Sequence, residues 1–305
     1  MKKAKKPAKN DRRGKLVFTG FSMGLADLVP GVSGGTIALL YGVYEELLKS
    51  IKIVTGDVPR LLLRGKFKAA LRAVPLGFLL PLFMGILLAI FSLVRIISYL
   101  LEAHPVLVWS LFFGLILGSA YVVSRRVAAW NGSRVLLLAA GFFITYFIVG
   151  LPALGGSEGE AAIFATGMIA ISAMILPGIS GSLIMVLLGQ YETVINAVSR
   201  LDVLLMGVFA LGALAGLAVF SRALSWLLKK YHAATLVFLV GVMLGSLRRV
   251  WPWQTGDGYA SFHPYLPSAN WSLLVAVGLF LVGYSLIIFL EKRGIAKDQD
   301  EFTTR

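Results

Sequence analysis

Two stretches constrain this chain more than any other feature: Leu28-Val29-Pro30-Gly31-Val32-Ser33-Gly34-Gly35 and Leu176-Pro177-Gly178-Ile179-Ser180-Gly181-Ser182. Both read Pro-Gly-[Val/Ile]-Ser-Gly, and both lie inside otherwise apolar sequence. Pro30 and Pro177 are 147 residues apart, and the match at that offset runs outward through Thr19/Thr166, Gly20/Gly167, Ala26/Ala173, Ile37/Ile184, Gly42/Gly189, Tyr44/Tyr191 and Glu45/Glu192. A repeat of this length means two copies of one unit. Apolar segments broken at matching positions of two halves point to the binding site of a transporter.

Composition sets the solvent. Of the 305 residues 58% are hydrophobic and 14% charged, against about 25% charged in a soluble domain. Apolar runs of about 20 residues recur, so the chain reads as an all-α polytopic membrane protein. With no cysteine, disulfides, thiolate metal sites and thiol catalysis are excluded. The basic N-terminus looks like the n-region of a signal peptide, but the apolar stretch behind it is broken at Pro30-Gly31 and continues into the repeat. It is therefore read as mature protein.

Charge placement gives the topology. Residues 1–14 form a basic tail. The first broken segment, 16–50, is followed by a basic stretch holding Lys49, Lys52, Arg60, Arg64, Lys66, Lys68 and Arg72. Basic flanks mark the cytoplasmic side, so both ends of this segment are expected there, and the segment is expected to be a re-entrant hairpin bent at Pro30 to Gly35. Proline removes a donor and glycine permits unusual dihedrals, so a helix breaks at such a tip. Spans are expected at 74–99, 105–123 and 134–151, completing a first repeat of 15–151. The acidic loop around Glu158 and Glu160 then lies outside. The second repeat, 161–293, has its hairpin at 161–198 and spans at 203–221, 233–247 and 271–290, and 294–305 is a cytoplasmic tail. This arrangement puts 25 of the 29 Lys and Arg residues on the cytoplasmic side. Three spans per half is an odd number, so the two halves form an inverted repeat. Eight full crossings with parallel repeats would put the Lys49 to Arg72 stretch outside. The net charge of +14 is thereby topological, with no nucleic-acid partner implied.

Further pairs hold at an offset of 127. Arg95-x-x-Ser98-x-Leu100-Leu101 matches Arg222-x-x-Ser225-x-Leu227-Leu228, and Gly114, Gly118 and Ser119 match Gly241, Gly245 and Ser246. Gly-x-x-x-Gly spacing suits close helix packing. The aromatic loop from Trp251 to Trp271 reads as an interfacial belt.

The chemistry is expected at the tips. A helix starting just after Pro-Gly-x-Ser-Gly offers free N–H groups and the positive end of its dipole, which favour an anion. The candidate phosphate-binding residues are Pro30, Gly31, Ser33, Gly34, Gly35 and Thr36 on one tip, and Pro177, Gly178, Ser180, Gly181 and Ser182 on the other. The bland alternative is a serine capping its own helix. Arg95 and Arg222 are expected to receive the anion at the membrane faces, since arginine's planar fork suits phosphate; the alternative is snorkelling. Asp27, at membrane depth with Met174 as its repeat partner, is a candidate for coupling. Glu45 and Glu192 are also coupling candidates, each 12 residues past its serine, about 18 Å along a continuous helix, and so at a hairpin mouth. His104, His232 and His263 fall at ends or in loops, so a Ser–His dyad is not expected. No metal-ligand cluster, Walker-type loop or cofactor motif is visible.

These residues carry a family resemblance. The paired motifs, the block from Met23 through Asp27 and Pro30 to Thr36, and the chain length resemble a bacterial and archaeal membrane family of polyprenyl-phosphate translocases, the PopT type. The resemblance spans roughly Lys15 to Arg293. It implies a flippase in the cytoplasmic membrane that returns undecaprenyl phosphate, the lipid carrier of cell-envelope polymers, from the outer to the inner leaflet. It implies no enzyme activity, and membrane lipids as the other partners. The alternatives are a transporter or channel for a small soluble anion, and a membrane enzyme acting on lipid phosphate. Oligomeric state is not read from the sequence.

Overall fold

The computed structural model of the chain describes residues 9–28, 33–127, 129–153, 159–255, 263–267 and 271–292, with side chains from Arg12 onward. Helices dominate it. The first half runs α1 (Lys9–Asp27), α2 (Gly34–Leu40), α3 (Tyr44–Lys52), a π-helical turn (Ile53–Asp57), α4 (Val58–Leu63), α5 (Phe67–Ala73), α6 (Leu76–Ala103), α7 (Pro105–Arg125) and α8 (Gly132–Ile148). The second runs α9 (Glu160–Ile175), α10 (Gly181–Leu187), α11 (Tyr191–Ser199), α12 (Val203–Lys230), α13 (His232–Ser246) and α14 (Trp271–Lys292). Two two-residue strands, β1 (Gln254–Thr255) and β2 (His263–Pro264), pair antiparallel between α13 and α14. That ribbon departs from the all-α expectation: in the aromatic loop Tyr265 N–H donates to Trp253 O at 2.9 Å and Trp251 Nε1 to Tyr265 O at 3.1 Å.

Four helices among the described residues are long and apolar enough to cross a membrane: α6, α7, α12 and α14. The molecule is a multi-pass helical membrane protein. The apolar helices α8, α9 and α13 are shorter, at 17, 16 and 15 residues, and at 1.5 Å per residue reach about 25 Å or less.

Helix bounds differ from expectation in three places. Helix α1 starts at Lys9, inside the stretch expected to be a tail, and Arg12 in its first turns binds the Glu46 carboxylate on α3 at 2.7 and 2.8 Å. A tertiary partner there favours continued helix over coil. Helix α6 runs on past Tyr99 to Ala103, and α12 past Ser221 to Lys230, where Arg222 ends the apolar run without interrupting helical backbone. The limb after each tip is not one helix either. It is short α2 then α3 in the first half, and short α10 then α11 in the second, where the two axes bend by 112°. The matching glycines Gly42 and Gly189, both at positive φ (74° and 66°), sit in the two bends. Glu45 and Glu192 therefore lie in the first turns of α3 and α11, not at the end of 18 Å of continuous helix.

Packing repeats between the halves at backbone level. A Cβ on Gly20 of α1 would strike the Leu82 carbonyl of α6, and a Cβ on Gly167 of α9 would strike the Phe209 carbonyl of α12. Conversely Gly85 abuts Val17 O, as Gly212 abuts Phe164 O. The remaining helices exchange partners across the halves. Gly114 of α7 lies on Phe280 O of α14, and its counterpart Gly241 of α13 lies on Leu138 O of α8. Gly283 of α14 returns the contact to Leu111 O, and Gly141 of α8 to Phe238 O. Such close approach lets dispersion and backbone contacts hold helices where apolar burial gives no drive. The equivalents α7 and α13 meet at the centre, where Ile116, Val237, Leu239 and Met243 are at most 1% exposed.

Candidate functional site

The first motif block meets the last turn of α9, just ahead of the second block, in the interior. In the first, Ser33 is the N-cap of α2, with extended backbone; its Oγ accepts from Gly35 N–H at 3.1 Å. The same hydroxyl donates to the Met174 carbonyl at 3.1 Å, in the last turn of α9 and three residues before Pro177. Tyr44 OH, on α3, donates to the next carbonyl, Ile175 O, at 2.9 Å. A helix that stops inside the protein leaves its final carbonyls without partners; here hydroxyls of the first half supply them to a helix of the second. Contact is close: a Cβ on Gly35 would lie 2.8 Å from Ile175 O.

Asp27 closes the first tip from the other side. Its carboxylate Oδ1 accepts from Gly34 N–H at 2.7 Å. The leading donors of α2 are thus taken by protein, Gly34 by a carboxylate, Gly35 by the Ser33 hydroxyl and Thr36 by the Ser33 carbonyl at 2.9 Å. Ser33 through Thr36 are all buried. The Thr36 hydroxyl is buried with no partner among the described residues. The far end of α2 is held too: Arg126 donates to Leu39 O at 3.2 Å and Leu40 O at 2.9 Å.

The second tip is built alike but filled differently. Gly178 has φ +89°, and a Cβ on it would lie 2.7 Å from Ser246 Oγ and 3.1 Å from Met243 Cα. Pro177 and Gly178 are buried, Ser180 is 9% exposed, and Gly181 and Ser182 are half-buried. Ser180 is the N-cap residue of α10, but its side chain makes no capping bond; its hydroxyl pairs with that of Ser182 at 2.7 Å. Met174 stands where the first half has Asp27, and no carboxylate among the described residues closes this tip. The Gly181 and Ser182 N–H groups find no acceptor among the described residues.

Other expected site residues lie elsewhere. Pro30 and Gly31 fall outside the described residues. Arg95 is exposed on α6. Arg222 donates to Ala218 O on its own helix and to Thr55 O of the π-helical turn at 3.3 Å, where the absence of a side chain at Gly56 makes room for it. Neither arginine touches the tips. Glu45 pairs with His232 at 3.1 Å, both half-exposed, while Glu192 is exposed on α11. Sequence reasoning singled out neither Tyr44 nor Arg126. The Tyr44/Tyr191 repeat pair was a signal for the first. Arg126 carried none beyond its charge in a loop.

Apolar helices interrupted at two matching Pro-Gly breaks, with helix ends and hydroxyls gathered where they meet, define a membrane protein of the transporter class. The chain belongs to the undecaprenyl phosphate translocase-like family, whose pattern it matches over residues 23–262. It is 44% identical over 237 residues to a polyprenyl-phosphate transporter of Vibrio cholerae serotype O1, covering 77% of this chain and 76% of that one. It is 32% identical over 256 residues to a polyprenyl-phosphate transporter of Staphylococcus aureus, covering 77% and 85%. Both relatives are named as transporters, not enzymes. No solved structure matches the chain.

Proposed function

We propose that this protein is a flippase that carries a polyprenyl-phosphate lipid, undecaprenyl phosphate, from the outer to the inner leaflet, where envelope-polymer synthesis reuses it. The observation that carries the reading is the contact of the first tip with the end of α9, Ser33 on Met174 O, a few residues ahead of an α10 start that no side chain caps. Moving a phosphate into hydrocarbon costs on the order of 20 kcal/mol by an idealised estimate, while the prenyl tail is at home there. The protein needs only to supply donors for the head group along a path open sideways to lipid. Gly181, Ser180, Ser182 and Gly178 form one wall of that site; Gly34, Gly35, Ser33 and Thr36 form the other. Arg95 and Arg222 serve as receivers nearer the membrane faces. Reconstitution in liposomes with labelled polyprenyl phosphate tests this. Translocation of intact lipid is expected. Flux of a soluble anion without lipid movement, or release of free phosphate, would overturn it.

The same reading takes the broken segments as re-entrant hairpins in an inverted repeat, with both termini cytoplasmic. Three contacts support the first hairpin: Arg12 to Glu46, Glu45 to His232 and Arg222 to Thr55 tie the start of α1, α3, the π-helical turn, the C-terminal part of α12 and the start of α13 to one another. A segment whose two ends share a side has turned back, and the bases of that side match the cytoplasmic rule. Single cysteines at Lys66 and Glu160, introduced as Lys66→Cys and Glu160→Cys, should label from opposite sides of the membrane. Labelling from the same side would sink the hairpin topology.

Coupling is assigned to Asp27. Its carboxylate holds the Gly34 N–H that a phosphate oxygen would use. Inward movement of an anion opposes an inside-negative potential by about 2.3 kcal/mol per charge per 100 mV. If Asp27 takes up a proton from the outer side when it yields Gly34 to the phosphate, and releases it to the inner side when the phosphate leaves, a proton travels with the lipid and offsets that work. Asp27→Asn keeps an acceptor without a titratable charge. Lipid flux in this variant should no longer respond to an imposed pH gradient that accelerates the wild type. An unchanged response would remove Asp27 from coupling.

A further inference from the structure

The two halves are not equal in length. Matching pairs are 147 residues apart before the first span and 127 apart within it, so the first half carries about 20 extra residues. They fall between α3 and α6. In the second half three residues, Arg200 to Asp202, join α11 to α12. In the first half the π-helical turn, α4, α5 and their turns fill the gap.

This insert is basic and apolar at once. Arg60, Arg64, Lys66, Lys68 and Arg72 stand against one acid, Asp57. Interleaved with them are Leu63, 89% exposed, Phe67, 69%, and Leu71, 67%. Phe67 and Leu71 are four apart on α5 and share a face; Lys68 and Arg72 share the next. Helices of six and seven residues are about 10 Å long, far too short to cross a bilayer, so this apolar surface cannot be that of a span. Its root is fixed. Helix α5 packs on α4 and on the π-helical turn, and Arg222 bonds that turn to α12. The insert therefore projects at the side where α1 begins and α12 ends.

We infer that α4 and α5 form a foot that lies in the interface of the adjoining leaflet, Leu63, Phe67 and Leu71 in the acyl boundary and the five bases among anionic phospholipid head groups. Short amphipathic elements with bases beside exposed Leu and Phe bind membrane surfaces in this way, and each Lys or Arg near an anionic surface adds about 1 kcal/mol. Solvated loops carry bases but do not present three large apolar side chains. Among the described residues the second half has no counterpart between α11 and α12, so this foot holds one leaflet. Through Thr55 and Arg222 that grip is continuous with α12, and through α3 with Tyr44 at the first tip.

The chain has no cysteine, so single cysteines report directly. The full chain carrying Phe67→Cys is placed in nanodiscs of phosphatidylcholine alone or with phosphatidylglycerol. Reaction with an uncharged, water-soluble maleimide is timed against Ser133→Cys, an exposed site outside the insert. Labelling of the Phe67→Cys protein should be about tenfold slower in the anionic discs. The difference should vanish on combining Arg64→Gln, Lys66→Gln, Lys68→Gln and Arg72→Gln, and, in the unneutralised protein, at high salt, which screens exposed charge. Equal rates in the two lipids would overturn the inference, as would protection indifferent to charge and salt, which would mark burial against the rest of the protein or a second copy of it.

Discussion

Gly178→Val should reduce lipid flux by about a hundredfold or more. Two independent penalties act at this position. The backbone stands at φ +89°, a region where a β-branched residue is strained by about 1–3 kcal/mol. The new side chain also meets Ser246 Oγ at 2.7 Å and Met243 Cα at 3.1 Å. Both residues are fully buried, so neither can step aside into open space, and overpacking of this kind costs about 1–3 kcal/mol more. If the folded protein relieves these penalties by moving the tip out of its transport-competent position, then at about 1.4 kcal/mol per factor of ten the sum reaches two orders of magnitude in flux. The measurement is flux per folded protein in liposomes, with Gly178→Ala falling between variant and wild type. Adding Ser246→Gly should recover part of the loss, because it relieves the steric penalty and leaves the backbone one. Wild-type flux in Gly178→Val would show that the second break takes no part in transport.

Ser33→Ala should cost ten- to a hundredfold in flux, and more than Ser180→Ala. The Ser33 hydroxyl makes two bonds, from Gly35 N–H and to Met174 O, and so holds its own helix and the neighbouring one together. Among the described residues the Ser180 hydroxyl has one partner, Ser182. A hydrogen bond contributes about 0.5–1.5 kcal/mol, or about 1.5–3 kcal/mol when its partner is charged, as a phosphate would be. Losing two interhelical and capping bonds together gives the larger effect. In the Ser33→Ala, Ser180→Ala double variant the fall should at least match that of Ser33→Ala alone. Full activity there would mean that the hydroxyls cap helices and nothing else, leaving the backbone to bind the anion.

The sequence carried the helical membrane class and the family through long apolar runs and a repeated motif, both local signals. It also pointed to Ser33, Gly178 and Asp27, because proline, glycine and an acid stand out in hydrocarbon. What the acid touches was not legible. Asp27 was distinguished by depth alone, and the bond to Gly34 depends on a turn whose geometry no spacing rule fixes. The Tyr44 to Ile175 bond joins residues 131 positions apart, beyond any periodicity. Continuous helix was expected from Ser33 to Glu45 because the residues between them are apolar; Gly42 bends the chain there, and its repeat pair Gly189 was visible but read only as evidence of duplication. The insert was read as charge because its bases marked a side; the exposed Leu63 and Phe67 acquire meaning only once α4 and α5 are seen to be too short to bury them.

The exchange of helix partners bears on how the protein is made. A chain leaves the ribosome from its N-terminus, so α7 and α8 enter the membrane long before α14 and α13 exist. During that interval the glycine faces of α7 and α8, shaped to receive the backbones at Phe280 and Phe238, have only lipid or insertion machinery against them. The first half is then less a folded intermediate than an open receptor for the second. Two halves encoded as separate polypeptides should therefore assemble with each other during biogenesis, and a nascent chain that stalls before α13 offers the membrane's quality-control proteases two unpaired helices.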